Sequence, residues 1–263
     1  YQRHLSFKVT CHVSTNLYGH KSHIWILLVH SMSEILKVQN LEARPGEKIE
    51  GYLDIAERPA GRHSIPIMLI NGTGTGPTLV INGGEHGSEY NGPAGCLTLM
   101  KELNPEDIDG RVIIVPVVNT IAFETRWMHG NPIDYRDVTG SYVEEIPKGG
   151  SGPPKITYYL TTTFYQEVLK QADFRLNLHG GDIEEDLLTG TMYRKTGDGR
   201  KDQLNLKLCR AFGWEWIREG LPRVSSSPLE FPLTVGTEAG GMGRCQSDIV
   251  SEVVRGCKNV MMQ

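Results

Sequence analysis

The chain has 263 residues, 39% of them hydrophobic and 22% charged, enough for one large α/β domain or two modest ones. A formal net charge of −4 removes any electrostatic case for nucleic acid or an anionic membrane surface as partner. Cys11, Cys96, Cys209, Cys245 and Cys257 are scattered and form no C-x-x-C pair, so they fit reduced thiols in a cytoplasmic protein better than a disulfide framework.

Residues 1–31 show little periodicity and read as an atypical extension of low functional content, with residues 32–263 as the domain proper. The apolar run at 24–29 is flanked by His23 and His30 and falls short of the roughly 18 residues a membrane span needs. "EGYLDIAE" and "HSIPIMLI" predict a hairpin joined through Pro59 and Gly61. "INGTGTGP" lacks the Lys-Ser/Thr of a phosphate-binding loop and precedes a strand, so it reads as a plain turn. "PTLVINGG" is a continuous apolar strand of the kind buried on both faces. "EYNGPAGCLTLMKEL" predicts a helix with Ala94, Leu97 and Met100 on its apolar side and Cys96 in the core. "GRVIIVPVVN" is a second buried strand, and residues 120–156 form a long loop rich in Gly, Pro and Asp, in which His129 reads as a plain loop histidine.

"TTFYQEVLKQA" predicts a helix, and "DFRLNLHGG" a strand ending at His179. "KDQLNLKLCRAFG" is a helix closed by Gly213. Trp214 and Trp216 alternate on a strand at the core and its rim, "FPLTVGTEAGG" delivers Glu238 at a strand end, and "QSDIVSEVVRGC" is the last helix. This alternation argues a mixed, largely parallel central sheet with helices on both faces. In such sheets, sites gather beyond the carboxyl ends of the strands, where His86, His179 and Glu238 all fall.

His86 and Glu89 are spaced i, i+3, so one turn presents both side chains together. A nitrogen ligand from another strand end completes a His₂Glu set with one position open, the arrangement zinc hydrolases use. His179, bracketed by "NL" and "GG", is the natural third ligand, and Asp182 is placed to orient a ligand from behind. The bland alternative for His86 and Glu89 is a helix-start histidine with a surface glutamate. Two glycine-bracketed histidines at strand ends weigh against it. A metal-activated water needs a base, for which Glu238 is a candidate; its alternative is a helix N-terminal carboxylate. No G-x-S-x-G elbow supports serine-based hydrolysis.

"GGEHGSEYNGP", "VIIVPVVNTIAFETR", "PID", "LNLHGGD" and "TEAGG", in this order and spacing over about residues 45–250, resemble the succinylglutamate desuccinylase/aspartoacylase family of zinc-carboxypeptidase-like enzymes. The resemblance implies a zinc-carboxypeptidase-like fold and hydrolysis of the amide of a small N-acyl amino acid. It implies one Zn²⁺ per chain on His86, Glu89 and His179, Glu238 as the base and then the acid, and Arg126 on the scissile carbonyl. The family's Asn-Arg clamp for the substrate carboxylate falls on Thr139 and Gly140, a departure, with Arg136 four residues upstream as the alternative cation. The family also continues past the base glutamate into a β-rich region, whereas this chain ends 25 residues after Glu238. The expected partners are a small acyl amino acid and, in a homo-oligomer whose order the sequence leaves open, a second copy of the chain. The competing readings are a carboxypeptidase-like metallopeptidase and a non-catalytic member that keeps the fold.

Overall fold

The computed structural model describes residues 35–59, 61–139, 155–222 and 229–263. The expectations for residues 1–31 and for Gly140 therefore lie outside the described residues. The unit that holds the described residues is Met32–Gln263.

Strands β1 (Leu36–Val38) and β2 (Leu41–Ala43) form a small antiparallel ribbon. The main sheet begins with the expected hairpin, β3 (Glu47–Arg58) against β4 (Gly61–Asn71). Its other strands are β5 (Thr78–Gly83), β6 (Arg111–Val115), β7 (Phe174–His179), β8 (Gly190–Arg194), β9 (Trp216–Gly220) and β10 (Leu233–Glu238). The order across the eight-stranded sheet is β3-β4-β6-β5-β7-β10-β8-β9. The central run β6-β5-β7-β10 is parallel, while β4 and β8 join it antiparallel, so the sheet is mixed and largely parallel as the sequence predicts.

Helices α1 (Asn91–Glu102), α2 (Thr120–Thr125), α3 (Ile156–Glu167), α4 (Gly199–Phe212) and α5 (Ser247–Met261) connect the strands. Strand alternation divides the core into two layers. Ile81, Ile114, Leu176 and Leu178 face a cluster that includes Cys96, Leu99, Phe212 and Val253 from α1, α4 and α5. Val80, Ile113 and Val115 face the other cluster, with Leu160 and Phe164 of α3 and Leu36 and Val38 of β1. Every residue of β5 is buried, which is why it reads as an unbroken apolar run. No helix among the described residues is long and apolar enough to cross a membrane.

Several local expectations need correction. The buried side of α1 is Gly92, Pro93, Gly95, Cys96 and Leu99, and Leu97 is 49% exposed. Close packing of small residues against β5 and β7 decides that face, and hydrophobicity alone misses it. The long loop contains α2, and α3 starts at Ile156, several residues before the predicted helix. Trp214 is buried, but Trp216 at the start of β9 is 57% exposed.

Because β6 and β7 lie on opposite sides of β5, the chain reverses its winding direction there. Parallel sheets open a crevice at the carboxyl ends of the strands flanking such a point. In register, Gly83 pairs with Leu178, and His179 pairs with Glu238. The ends of β5, β7 and β10 therefore meet at one edge of the sheet.

Candidate metal centre

Gly84, at φ 64°, turns the chain sharply out of β5 in the left-handed conformation that glycine adopts most easily. The following turn runs against the start of the long loop, and the Gly87 N–H donates to the Trp127 carbonyl at 3.0 Å. A Cβ at Gly87 would lie 2.1 Å from the Ala122 carbonyl oxygen, so only glycine allows this approach. His86 and Glu89 thus sit in the turn before α1 rather than on the helix. Asn91, the first residue of α1, donates to the Ala239 carbonyl at 2.7 Å and accepts from the Gln246 N–H at 2.7 Å. These bonds fix the end of β10 beside the turn.

His86, Glu89 and His179 converge, each offering a donor atom within 4.8 Å of the others. His86 Nδ1 is 2.5 Å from Glu89 Oε1, and His179 Nδ1 is 3.0 Å from Glu89 Oε2. The two imidazoles therefore turn the same nitrogen toward one carboxylate, with ring centroids 4.9 Å apart. Their opposite nitrogens face other carboxylates: His86 Nε2 lies 3.6 Å from Asp137, and His179 Nε2 lies 3.3 Å from Glu85. A carboxylate behind each ring and a shared donor face in front is the pattern metal-binding histidines use. Two neutral nitrogens and a carboxylate oxygen suit a divalent ion of the zinc class.

The charges are strongly coupled. Burial alone would lower the His86 pKa, but the carboxylates of Asp137 and Glu89 beside the ring outweigh it and raise the pKa. His179 is likewise raised, with Glu89 and Glu85 overcoming burial. Burial works against ionising Glu89, yet the two histidines hold it low. Glu85 is the same case: burial opposes its charge, and Arg175 with His179 and Asn177 keeps it well below the ordinary carboxylate range.

Glu238 stands beside His179 at the end of β10, with Oε1 3.3 Å from Arg218 Nη2. Burial raises its pKa to about 7, with His179 and Arg218 pulling downward and Glu89 and Glu185 upward. Arg126 closes α2 in the left-handed region (φ 56°) and donates from Nε to the Tyr90 hydroxyl at 3.2 Å. It lines a cavity of about 430 Å³ together with Trp127, Met128, His129, Ile183 and Glu184.

His129 departs from the plain-loop expectation: its ring stands edge-on to His86 at 4.8 Å, and its Nε2 lies 2.9 Å from Asp182. Buried Asp182 accepts from the Ser88 hydroxyl through Oδ1 and turns Oδ2 toward His129. Thr139 donates its hydroxyl to Glu85 at 3.1 Å. Arg136 is exposed in the loop, with its backbone N–H on Asp134 at 3.3 Å. Gly140, the remaining clamp position, lies outside the described residues.

Sequence reasoning missed Glu85, Asn82, Arg175 and Asn177, which form a buried polar layer under the centre, and Asp137, which stands at its exposed edge beside His86. A signal was present: Arg175, Asn177 and His179 alternate along β7, so three polar residues share one face of a strand whose other face is Phe174, Leu176 and Leu178.

The family model for the succinylglutamate desuccinylase/aspartoacylase catalytic domain matches residues 75–138. A curated relative, the N-alpha-acetyl-L-2,4-diaminobutyric acid deacetylase of Halomonas elongata, is 29% identical over 209 residues, covering 77% of this chain. The chain spans 58% of that relative's length. Among solved structures, the ectoine utilization protein EutE of Ruegeria pomeroyi in a product-bound state is similar at a TM-score of 0.69 and 25% identity, over 82% of this chain and 66% of that one. A succinylglutamate desuccinylase/aspartoacylase from Rhodobacter sphaeroides gives a TM-score of 0.68 at 27% identity, over 81% of this chain and 64% of that one. The resemblance carried by the five motifs is borne out, and the fold is that of the succinylglutamate desuccinylase/aspartoacylase family.

Proposed function

We propose that the chain is a zinc-dependent deacylase that cleaves the amide of a small N-acyl amino acid, with His86, Glu89 and His179 holding the ion. The observation that carries this reading is the shared donor face. Two imidazoles present the same ring nitrogen to the two oxygens of Glu89, and each is backed by a carboxylate. A zinc ion bound there supplies Lewis-acid polarisation of the scissile carbonyl and lowers the pKa of a water to about 7. The deacetylase relative supports the substrate class.

This chain's own residues carry the proton transfers. Glu238, with a pKa near 7, is poised to take a proton from the attacking water and to return it to the departing nitrogen. Arg126, on the rim of the cavity beside His129, is the cation assigned to the developing negative charge on the carbonyl oxygen. Thr139, with its hydroxyl on Glu85, anchors the loop, and the exposed Arg136 three residues before it is the cation assigned to the substrate carboxylate. The setting assigned to the protein is the cytoplasm, its partner a small molecule, with self-association as a homo-oligomer part of the same reading.

The decisive experiment measures zinc per chain and hydrolysis of N-acetyl-2,4-diaminobutyrate and a panel of N-acyl amino acids. Glu238→Gln is compared with wild type. The expected outcome is one zinc per chain in both proteins, with the variant slower by about 10²–10⁴-fold. Stoichiometric zinc with equally inert wild type and variant would leave a metal-binding fold without this activity.

A further inference from the structure

Glu85 lies beneath the metal centre rather than in it, 1% exposed, and its two oxygens gather four partners. Oε1 accepts from Arg175 Nη2. Oε2 accepts from Asn177 Nδ2 at 3.0 Å and from the Thr139 hydroxyl at 3.1 Å, and lies 3.3 Å from His179 Nε2. Arg175 is held in turn by Asn82, whose Oδ1 accepts from its Nε at 2.8 Å, and Asn82 donates to Asn177 at 2.8 Å. Stability is a poor explanation for such a hub, since desolvating an ion pair this deeply roughly cancels its attraction.

The geometry gives a better one. His179 turns Nδ1 toward Glu89, so a ligand bond from that ring uses the Nδ1 lone pair and leaves the hydrogen on Nε2. That hydrogen needs an acceptor. Asn177 presents its Nδ2, a donor, to the same ring nitrogen at 2.8 Å, a contact that suits a bare Nε2 and must lengthen once that nitrogen carries the hydrogen, so Asn177 is not its acceptor. A carboxylate accepts only, and Glu85 is the carboxylate on that side. We propose that Glu85, anchored by Arg175, is a positioning residue that fixes the Nε2–H form and the orientation of the His179 ring. Through the same oxygen it ties the loop at Thr139 to that ring. The inference rests on the metal centre proposed above and goes beyond it by assigning the support of one ligand to a residue outside the donor set.

The test is Zn²⁺ affinity, read by competition with a chromophoric chelator on metal-stripped protein. Glu85→Gln keeps the shape but sets an NH₂ donor where an acceptor is needed. Zn²⁺ binding is expected to weaken about 10–100-fold. Glu85→Gln/Arg175→Gln, which leaves no guanidinium uncompensated, is expected to fold and to show the same loss. A purely structural role would lower the melting temperature of the metal-free variants and leave their Zn²⁺ affinity alone; that result overturns the proposal. A second measurement needs no variant: in zinc-loaded wild type, imidazole ¹⁵N–¹H correlation should find a slowly exchanging hydrogen on His179 Nε2. A bare Nε2 overturns the proposal as well. If wild type itself takes up no Zn²⁺, the metal centre falls with it. If wild type binds and the Glu85 variants bind equally, only the role of Glu85 falls.

Discussion

Glu238 concentrates what a single residue contributes at this site. A free glutamate is almost fully ionised at pH 7; burial at the end of β10 raises this one to about 7, where it can both accept and return a proton. The sign follows directly. In the proposed role as base Glu238 must be ionised to act, so kcat/KM should climb roughly tenfold per pH unit below about pH 7 and level off above it. Arg218, 3.3 Å away, favours the ionised form. Arg218→Ala should therefore move the acid limb of the profile to higher pH, as measured by kcat/KM for acyl amino acid hydrolysis between pH 5 and 9. A limb that stays in place, or moves to lower pH, would separate Glu238 from the observed ionisation. The neighbouring His129 carries a second lesson at this scale. Its sequence context, "WMHGNP", gives no sign of a partner, because the partner is Asp182, brought beside it only by the fold.

At the scale of elements, the short helix α2 depends on one side chain. Asn119 accepts from the Ala122 N–H at 3.3 Å as its cap and donates to the carbonyls of Gly130 at 2.8 Å and Glu85 at 3.3 Å. It also accepts from Asn131 at 3.2 Å. Asn119→Ala strands several buried backbone groups and should destabilise by about 1–3 kcal/mol, each kcal/mol lowering the melting temperature by roughly 2–4 °C. An unchanged melting curve would mean that water replaces these bonds and that α2 is held by other contacts. The sequence made some elements plain and hid others, for physical reasons. β5 and β6 are buried along nearly their whole length and show as apolar runs, and α4 shows its end because Gly213 takes the left-handed conformation at φ 95°. β8 does not show: five residues with one exposed end and two threonine-and-glycine flanks carry too little pattern to separate from loop. The proposed ligands are legible because glycines bracket them at strand ends. The polar layer behind them was obscured because Arg175 and Asn177 break an apolar strand without any short motif to announce them.

For the whole molecule, the centre exists only as a product of topology. His86 and Glu89 leave β5 and His179 leaves β7, strands adjacent in the sheet yet more than 90 residues apart in the chain, so the unfolded polymer holds no such cluster. Ion binding then draws on folding free energy, and excess zinc at 100 times its dissociation constant should add about 2.7 kcal/mol of stability. The same closeness sets the competition between zinc and protons. With no ion between them, Glu89, Asp137 and Glu85 hold His86 and His179 protonated above the usual imidazole range. A ligand nitrogen must give up its proton, so zinc uptake near pH 7.5 should release more than one proton per ion, and the apparent affinity should rise steeply with pH. Calorimetry in two buffers of different ionisation enthalpy counts those protons. A release near zero would mean that the imidazoles are already neutral in the empty site. The carboxylates behind them would then orient the rings without charging them. A release that also fails to fall in His86→Ala would place the ionising groups elsewhere in the fold.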